Sequence, residues 1–328
     1  MRHNYFIKKI NSPFEDTSFF VRNIYKKQAF LLDCGRLSGL TNTEILSLSD
    51  VFISHTHIDH FYGFDRILRT FLRSDKKLRL FGPKGIINNV RGKLAGYTWN
   101  LVDNYSFELE VVELSTDEIN TFANFKAANR FEPEYATYDT TIELGDGFRL
   151  DYTFFDHDIF STGYRIKEGV HVNIKKDVFD EFGYIRGPWL SELKAHLRCS
   201  RDLNKNITVT TSSGEKDIPA GQLKNEIVIF KPPQDITFIT DFAPTFENYM
   251  KAINFAKDSY ILLIEGMFLK EDILHSIDKK HTSLDLSKRI FIESSSKYVH
   301  FFHFSSKYEK KKELFLNELY RGIGEYII

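Results

Sequence analysis

An α/β fold is what this sequence predicts, and three observations carry the prediction. Short runs rich in Phe, Ile, Val and Tyr recur along the chain at strand length. Stretches with apolar residues at steps of three and four alternate with them, as amphipathic helices require. The composition, 42% hydrophobic with 31 Phe and 16 Tyr in 328 residues, is that of a globular protein with a large aromatic core.

Residues 5–10, 17–24 and 28–33 are the first of these runs. Asn11-Ser12-Pro13 and Tyr25-Lys26-Lys27 separate them, so they read as successive antiparallel strands. Val51-Phe52-Ile53 is a further strand that feeds a polar cluster, His55 to His60. Just beyond, Phe61, Phe64, Ile67, Leu68, Phe71 and Leu72 share one helical stripe, which puts the cluster at a strand-to-helix turn. Residues 78–81 read as a strand closed by Gly82-Pro83, 85–94 as a helix, and 107–114 and 141–155 as strands. From 167 to 224 charges crowd in, Gly187-Pro188 interrupts, and Ser212-Ser213-Gly214 and Pro219-Ala220-Gly221 read as turns. This stretch is expected to be an insertion within one domain spanning 1–328. Order resumes with strands 236–240 and 260–264 around a helix at 245–256, then a strand at 291–304 and a closing helix at 310–319.

Lys and Arg total 44 against 45 Asp and Glu, a formal net charge of −1, so a nucleic-acid partner would have to be held by local patches. Cys34 and Cys199 are too few for a disulfide framework and read as small buried side chains in a reducing compartment. The first ten residues lack an apolar signal core, and no apolar run nears the roughly 18 residues a membrane span needs. A soluble, cytoplasmic protein with no membrane partner is expected.

His55-Thr56-His57-Ile58-Asp59-His60 packs three imidazoles and a carboxylate into six residues, each a ligand for zinc or a similar divalent ion. His55 and His57, two apart on an extended stretch, point to one side, and Asp59 and His60 turn toward a second metal. Two cations a few ångström apart need an anionic bridge, which a hydroxide and a carboxylate supply. More Asp and His are therefore expected downstream.

This segment, following an apolar strand, resembles the signature of the metallo-β-lactamase superfamily. Later segments resemble the ribonuclease Z branch, the endoribonucleases that process tRNA 3' ends. They are Phe155-Asp156-His157 with Gly163-Tyr164-Arg165, Thr240-Asp241-Phe242, Ile264-Glu265-Gly266, His281-Thr282-Ser283, and His303-Phe304-Ser305-Ser306-Lys307-Tyr308. The resemblance runs from about residue 31 to 308, in the family's order. It implies a four-layer αββα sandwich with an inserted projecting arm. It implies two divalent metals, zinc foremost with manganese or iron as alternatives, held by His55, His57, Asp59, His60, His157, Asp241 and His303. Asp241 would bridge the metals; taken alone it also fits a helix N-cap. His281 reads as a metal ligand, a catalytic acid or a solvated loop histidine, and the resemblance favours an acid near the leaving group. Glu265 would orient it or be an ordinary strand-end carboxylate.

Ile58 stands where the family has Gly, Ile264 where it has His, and Phe242-Ala243 where it has a polar pair. Tyr184-Ile185-Arg186-Gly187-Pro188-Trp189 resembles the Gly-Pro segment of the family's tRNA-grasping arm. Gly187, Pro188, Lys194, Arg198 and Arg201 are its candidate substrate contacts. A second basic tract, Arg66, Arg69, Arg73, Lys76, Lys77 and Arg79, is expected to line the approach to the site. The function implied is a dinuclear phosphodiesterase cutting the 3' side of tRNA precursors through a metal-bridging hydroxide. In it Asp59 orients the hydroxide and accepts its proton, and His281, steered by Glu265, protonates the leaving oxygen. A hydrolase of a small phosphodiester or cyclic nucleotide, and a non-catalytic metal- or RNA-binding protein, are the alternatives. Homodimerisation is a further implication of the family.

Overall fold

The computed structural model of the chain describes residues 4–26, 28–116, 119–139, 141–169, 171–175, 177–199 and 202–327. They form two compact units, Met1–Lys167 with Gln234–Ile328, and Glu168–Pro233.

In the first unit an eight-stranded sheet is formed in chain order by β1 (Tyr5–Lys9), β2 (Phe19–Asn23), β3 (Ala29–Leu32), β4 (Leu48–Phe52), β5 (Lys77–Gly82), β6 (Glu108–Glu113), β7 (Ile119–Lys126) and β8 (Pro133–Asp139). A six-stranded sheet contains β9 (Ile142–Gly145), β10 (Phe148–Asp156), β11 (Phe160–Glu168), β16 (Ile236–Ile239), β17 (Ile261–Glu265) and β18 (Tyr298–Phe302). Its strand order is β18-β17-β16-β11-β10-β9. The four intervening strands, β12 (His171–Ile174), β13 (Asn206–Thr211), β14 (Gly214–Pro219) and β15 (Val228–Lys231), lie in the second unit.

Side-chain alternation decides the layering. Phe30 and Leu32 on β3, with Phe52 on β4 and Phe81 on β5, share one buried cluster with Tyr164, Phe238 and Leu263 of the other sheet. Ala29, Leu31, Val51 and Leu80 point the opposite way, against Phe64, Ile67, Leu68 and Phe71 of the helix Phe64–Phe71 and Ile86 and Val90 of the helix Ile86–Ala95. Ile239, Leu262, Ile264 and Phe301 of the second sheet bury against the helices Phe246–Ala256, Leu284–Glu293 and Lys312–Tyr320. Strands buried on both faces read as continuous apolar runs, and the layers are α, β, β, α. No helix among the described residues is long and apolar enough to cross a membrane.

Several expectations need correction. The run 141–155 is a hairpin, because Gly145 and Gly147 take φ of 87° and 78° and turn the chain between β9 and β10. The apolar stretch 291–304 is divided: residues 291–293 are the end of the helix Leu284–Glu293, capped by the Ser283 side chain, and only Tyr298–Phe302 is strand. β7, β8 and the helix Ile273–Lys279 went unforeseen.

The second unit has its own core, in which Trp189 and Leu193 of the helix Trp189–Cys199 meet Ile207, Val209, Leu223 and Ile227. It runs to Pro233 because β15 pairs with β12, nine residues past the end that the charge pattern suggested. Pro188 precedes the helix Trp189–Cys199, where a missing N–H costs nothing.

Candidate metal centre

The predicted ligands converge at the carboxyl ends of strands. β3 and β4 are parallel, as are β16, β17 and β18. His55 and His57 follow β4, His157 follows β10, Asp241 follows β16, Glu265 ends β17 and His303 follows β18. Chain reversal at such ends leaves backbone and side chains free to face a ligand. Asp33, Asp241 and His303 each adopt a left-handed backbone, with φ of 53°, 47° and 58°. Strain of this kind costs on the order of 1–3 kcal/mol per residue and persists where surrounding structure enforces it.

Asp241 is the hub. One or other of its carboxylate oxygens lies 3.6 Å from His55 Nε2, 3.3 Å from His60 Nε2, 3.9 Å from His157 Nε2, 3.9 Å from His281 Nδ1 and 3.1 Å from His303 Nδ1. Asp59 Oδ2 is 3.3 Å from His60 Nε2 and 3.4 Å from His303 Nε2. Two groups of side chains that could each hold an ion result: His55, His57, His157 and Asp241, and Asp59, His60 and His303. Asp241 also groups with Glu265, His281 and His303.

Hydrogen bonds behind these rings prepare their outer nitrogens. His60 Nδ1 donates to Asp33 Oδ2 at 2.7 Å, and Ser54 donates to the same carboxylate from its N–H at 2.7 Å and its hydroxyl at 2.8 Å. The Ser54 hydroxyl lies 3.1 Å from His55 Nδ1. His157 Nδ1 donates to the Lys280 carbonyl at 2.8 Å. His55 Nε2 and His60 Nε2 are buried and have no hydrogen-bond partner among the described residues. A buried ring nitrogen without a hydrogen-bond partner is costly, and a divalent cation satisfies it, so the residues fit a metal pair.

The electrostatics agree. Burial alone would lower His303, but Asp241, Asp59 and Glu265 outweigh it and lift the imidazole to about 10. The same contest, won by Asp241 and Asp33, holds His60 well above its ordinary value. Burial pushes His55 down to about 2. Burial opposes ionisation of Glu265, yet His281 and His303 bring it to about 2. Without a cation the neighbouring carboxylates hold protons on His60 and His303, and metal binding would release them.

His281 Nδ1 donates to Glu265 Oε2 at 2.9 Å, and the other Glu265 oxygen accepts the N–H groups of Phe242 and Thr282 at 3.1 and 3.2 Å. His281 is thus held from behind with its Nε2 free of that bond. The metal loop itself is locked by two glycines. Gly63 N–H donates to the Cys34 carbonyl at 2.7 Å and Cys34 N–H to that of His60 at 2.9 Å. A β-carbon on Gly63 would sit 2.2 Å from the Gly35 carbonyl oxygen, and one on Gly35 2.2 Å from that of Asp59.

Sequence reasoning missed Asp33, Ser54 and the Lys280 carbonyl. The usable signal for Asp33 was a carboxylate ending the apolar strand Phe30-Leu31-Leu32. The basic tract does not stand free. Arg66 donates to the carbonyls of Leu37 and Leu40, Lys76 to that of Leu46, Lys77 pairs with Glu110 and Arg79 with Asp50. These contacts commit four of its six residues to the fold; Arg69 and Arg73 are exposed. Gly187, Pro188, Lys194 and Arg198 belong to the second unit, where Arg198 is exposed and Lys194 half-buried. Arg201 and the Cys199 side chain lie outside the described residues.

No family model matches the chain. It is 23% identical over 291 residues to the ribonuclease Z of Deinococcus radiodurans, spanning 85% of this chain and 83% of that protein. Among solved structures, a metallo-β-lactamase-fold protein of Bacillus subtilis superposes with a TM-score of 0.50 at 12% identity, over 89% of this chain and 80% of that one. The short form of human tRNase Z superposes with a TM-score of 0.50 at 13% identity, over 89% and 87%. The chain has the metallo-β-lactamase fold and a ribonuclease Z-like sequence.

Proposed function

We propose that this protein is a metal-dependent phosphodiesterase of ribonuclease Z type, which hydrolyses RNA at the 3' side of tRNA precursors. One observation carries the reading. Two unpartnered buried imidazole nitrogens, His55 Nε2 and His60 Nε2, flank the same Asp241 oxygen, as a pair of cations sharing one carboxylate requires. The ligands would be His55, His57, His157 and Asp241 for one ion, and Asp59, His60, His303 and Asp241 for the other, with zinc the ion that best suits this imidazole-rich set. When bound, the ions supply Lewis acidity that makes water nucleophilic at neutral pH and offsets charge on the phosphate.

The chain's own residues do the rest. Asp59, on the partly exposed side of the cluster, orients the attacking water and accepts its proton. His281, kept in register by Glu265, protonates the leaving 3' oxygen, and burial of Glu265 keeps that pair in place. Lys194 and Arg198 of the unit Glu168–Pro233 contact phosphates of the tRNA body, which makes this unit the substrate-holding insertion.

The test is cleavage of a panel of tRNA precursors by purified protein, with metal analysis of the same sample and bis(p-nitrophenyl) phosphate as a small control. Endonucleolytic cut sites at the 3' side and about two metal ions per chain are expected. The double variant Lys194→Ala/Arg198→Ala should weaken precursor cleavage and flatten its salt dependence while sparing the small diester. Hydrolysis of the small diester with no cleavage of any precursor would reject the RNA substrate.

A further inference from the structure

The helix Ile273–Lys279 ends in a conformation that glycine normally supplies. Lys280, directly after it, has φ of 59°. Its N–H donates to the Ile277 carbonyl at 3.3 Å, and the next N–H, that of His281, reaches back to Ser276 at 3.1 Å. This is the hydrogen-bond pattern of a Schellman terminus, with lysine in the left-handed position. Its effect is to swing the Lys280 carbonyl out of the helix, toward His157 Nδ1 at 2.8 Å. The His157 ring lies 4.8 Å from the His281 ring.

We propose that Lys280 is a positioning residue whose left-handed backbone aims a carbonyl at His157, fixing the tautomer that leaves His157 Nε2 bare toward Asp241. The dipeptide Lys280-His281 then serves both halves of the site: its first residue sets a metal ligand and its second stands against Glu265. The proposal rests on the metal-centre reading and adds the device that orders one ligand. The working part is conformation, not charge. The Lys280 ammonium pairs with Asp158 at 3.6 Å, but both side chains are exposed, at 41% and 72%, and such pairs contribute little.

Lys280→Gly keeps positive φ without strain and retains the carbonyl. Lys280→Val resists positive φ, being β-branched, and turns the carbonyl away. Zinc affinity of the full chain, measured by chelator competition, should fall about 10- to 100-fold for one ion in Lys280→Val, the range seen when the partner of a ligating histidine is lost. Lys280→Gly should stay within roughly threefold of the parent. Undiminished affinity in Lys280→Val, or an equal loss in Lys280→Gly, would overturn the proposal. Should Lys280→Val fail to fold, imidazole 1H–15N correlation spectra of the metal-free parent decide. An Nδ1–H tautomer of His157 is expected, and an Nε2–H tautomer overturns it. A parent that binds no zinc would count against the metal centre, and the tautomer measurement would still judge the Lys280 link.

Discussion

Replacing Asp33 with Asn removes one negative charge from a carboxylate that touches neither the proposed ions nor solvent. Asp33 is fully buried, accepts from Ser54 N–H at 2.7 Å and Ser54 Oγ at 2.8 Å, and holds His60 Nδ1 at 2.7 Å. Asn is nearly isosteric and tolerates the left-handed backbone of this position, so the fold should survive. One amide oxygen can keep the Ser54 N–H. The amide NH2 then faces His60 Nδ1, two donors opposed, and the ring relieves the conflict by moving its proton to Nε2, the atom that must ligate. The loss is one hydrogen bond to a charged group, about 1.5–3 kcal/mol, or roughly 10- to 150-fold in affinity for the ion at His60. Competition with a zinc chelator, with circular dichroism to confirm folding, measures it. Full-affinity binding of two ions by Asp33→Asn would refute the idea that Asp33 sets the His60 tautomer.

Other outcomes follow from the same geometry. His281→Ala should lower kcat on precursor RNA by about 100-fold or more while the protein keeps its metals, since general-acid groups contribute on that order; unchanged turnover would remove His281 from the reaction. Gly63→Ala sets a methyl 2.2 Å from the Gly35 carbonyl oxygen and should cost about 1–3 kcal/mol in urea unfolding, with weaker metal binding as Asp59 and His60 shift; a parent-like midpoint would refute the locking role. In metal-free protein, His303, raised to about 10, contributes stability that is complete below the unfolded value of about 6.5 and lost as pH rises to about 10. Its Tm should therefore decline across that window and flatten when zinc replaces the protons, whereas parallel slopes with and without zinc would contradict this.

Local clusters were legible in the sequence and long-range partners were not. His55 to His60 announced itself because the ligands lie within six residues. The bond of Asp33 to His60 spans 27 positions and that of His157 to Lys280 spans 123, and no local pattern encodes either. The Lys280 link depends on a backbone carbonyl, which carries no side-chain signature at all. β8 was hidden by its acidic and polar composition, yet charges suit it, because it is the last strand of its sheet and an edge gains protection from them. The end of the helix Leu284–Glu293 reads as strand in the sequence because Phe291 and Ile292 open the run 291–304 with strand-like composition. The N-cap Ser283, whose hydroxyl accepts from Leu286 N–H at 3.3 Å, was the signal to weigh against it.

In the proposed site, Asp241 sits between two cations held by histidines from distant parts of the chain. Anomalous scattering at the zinc edge, from crystals of the full chain grown with zinc, locates those ions. Two peaks are expected, one within bonding distance of His55, His57 and His157, the other of His60, Asp59 and His303, with an Asp241 oxygen near both. A zinc-saturated crystal with no peak at Asp241, or with ions only elsewhere on the surface, would contradict it.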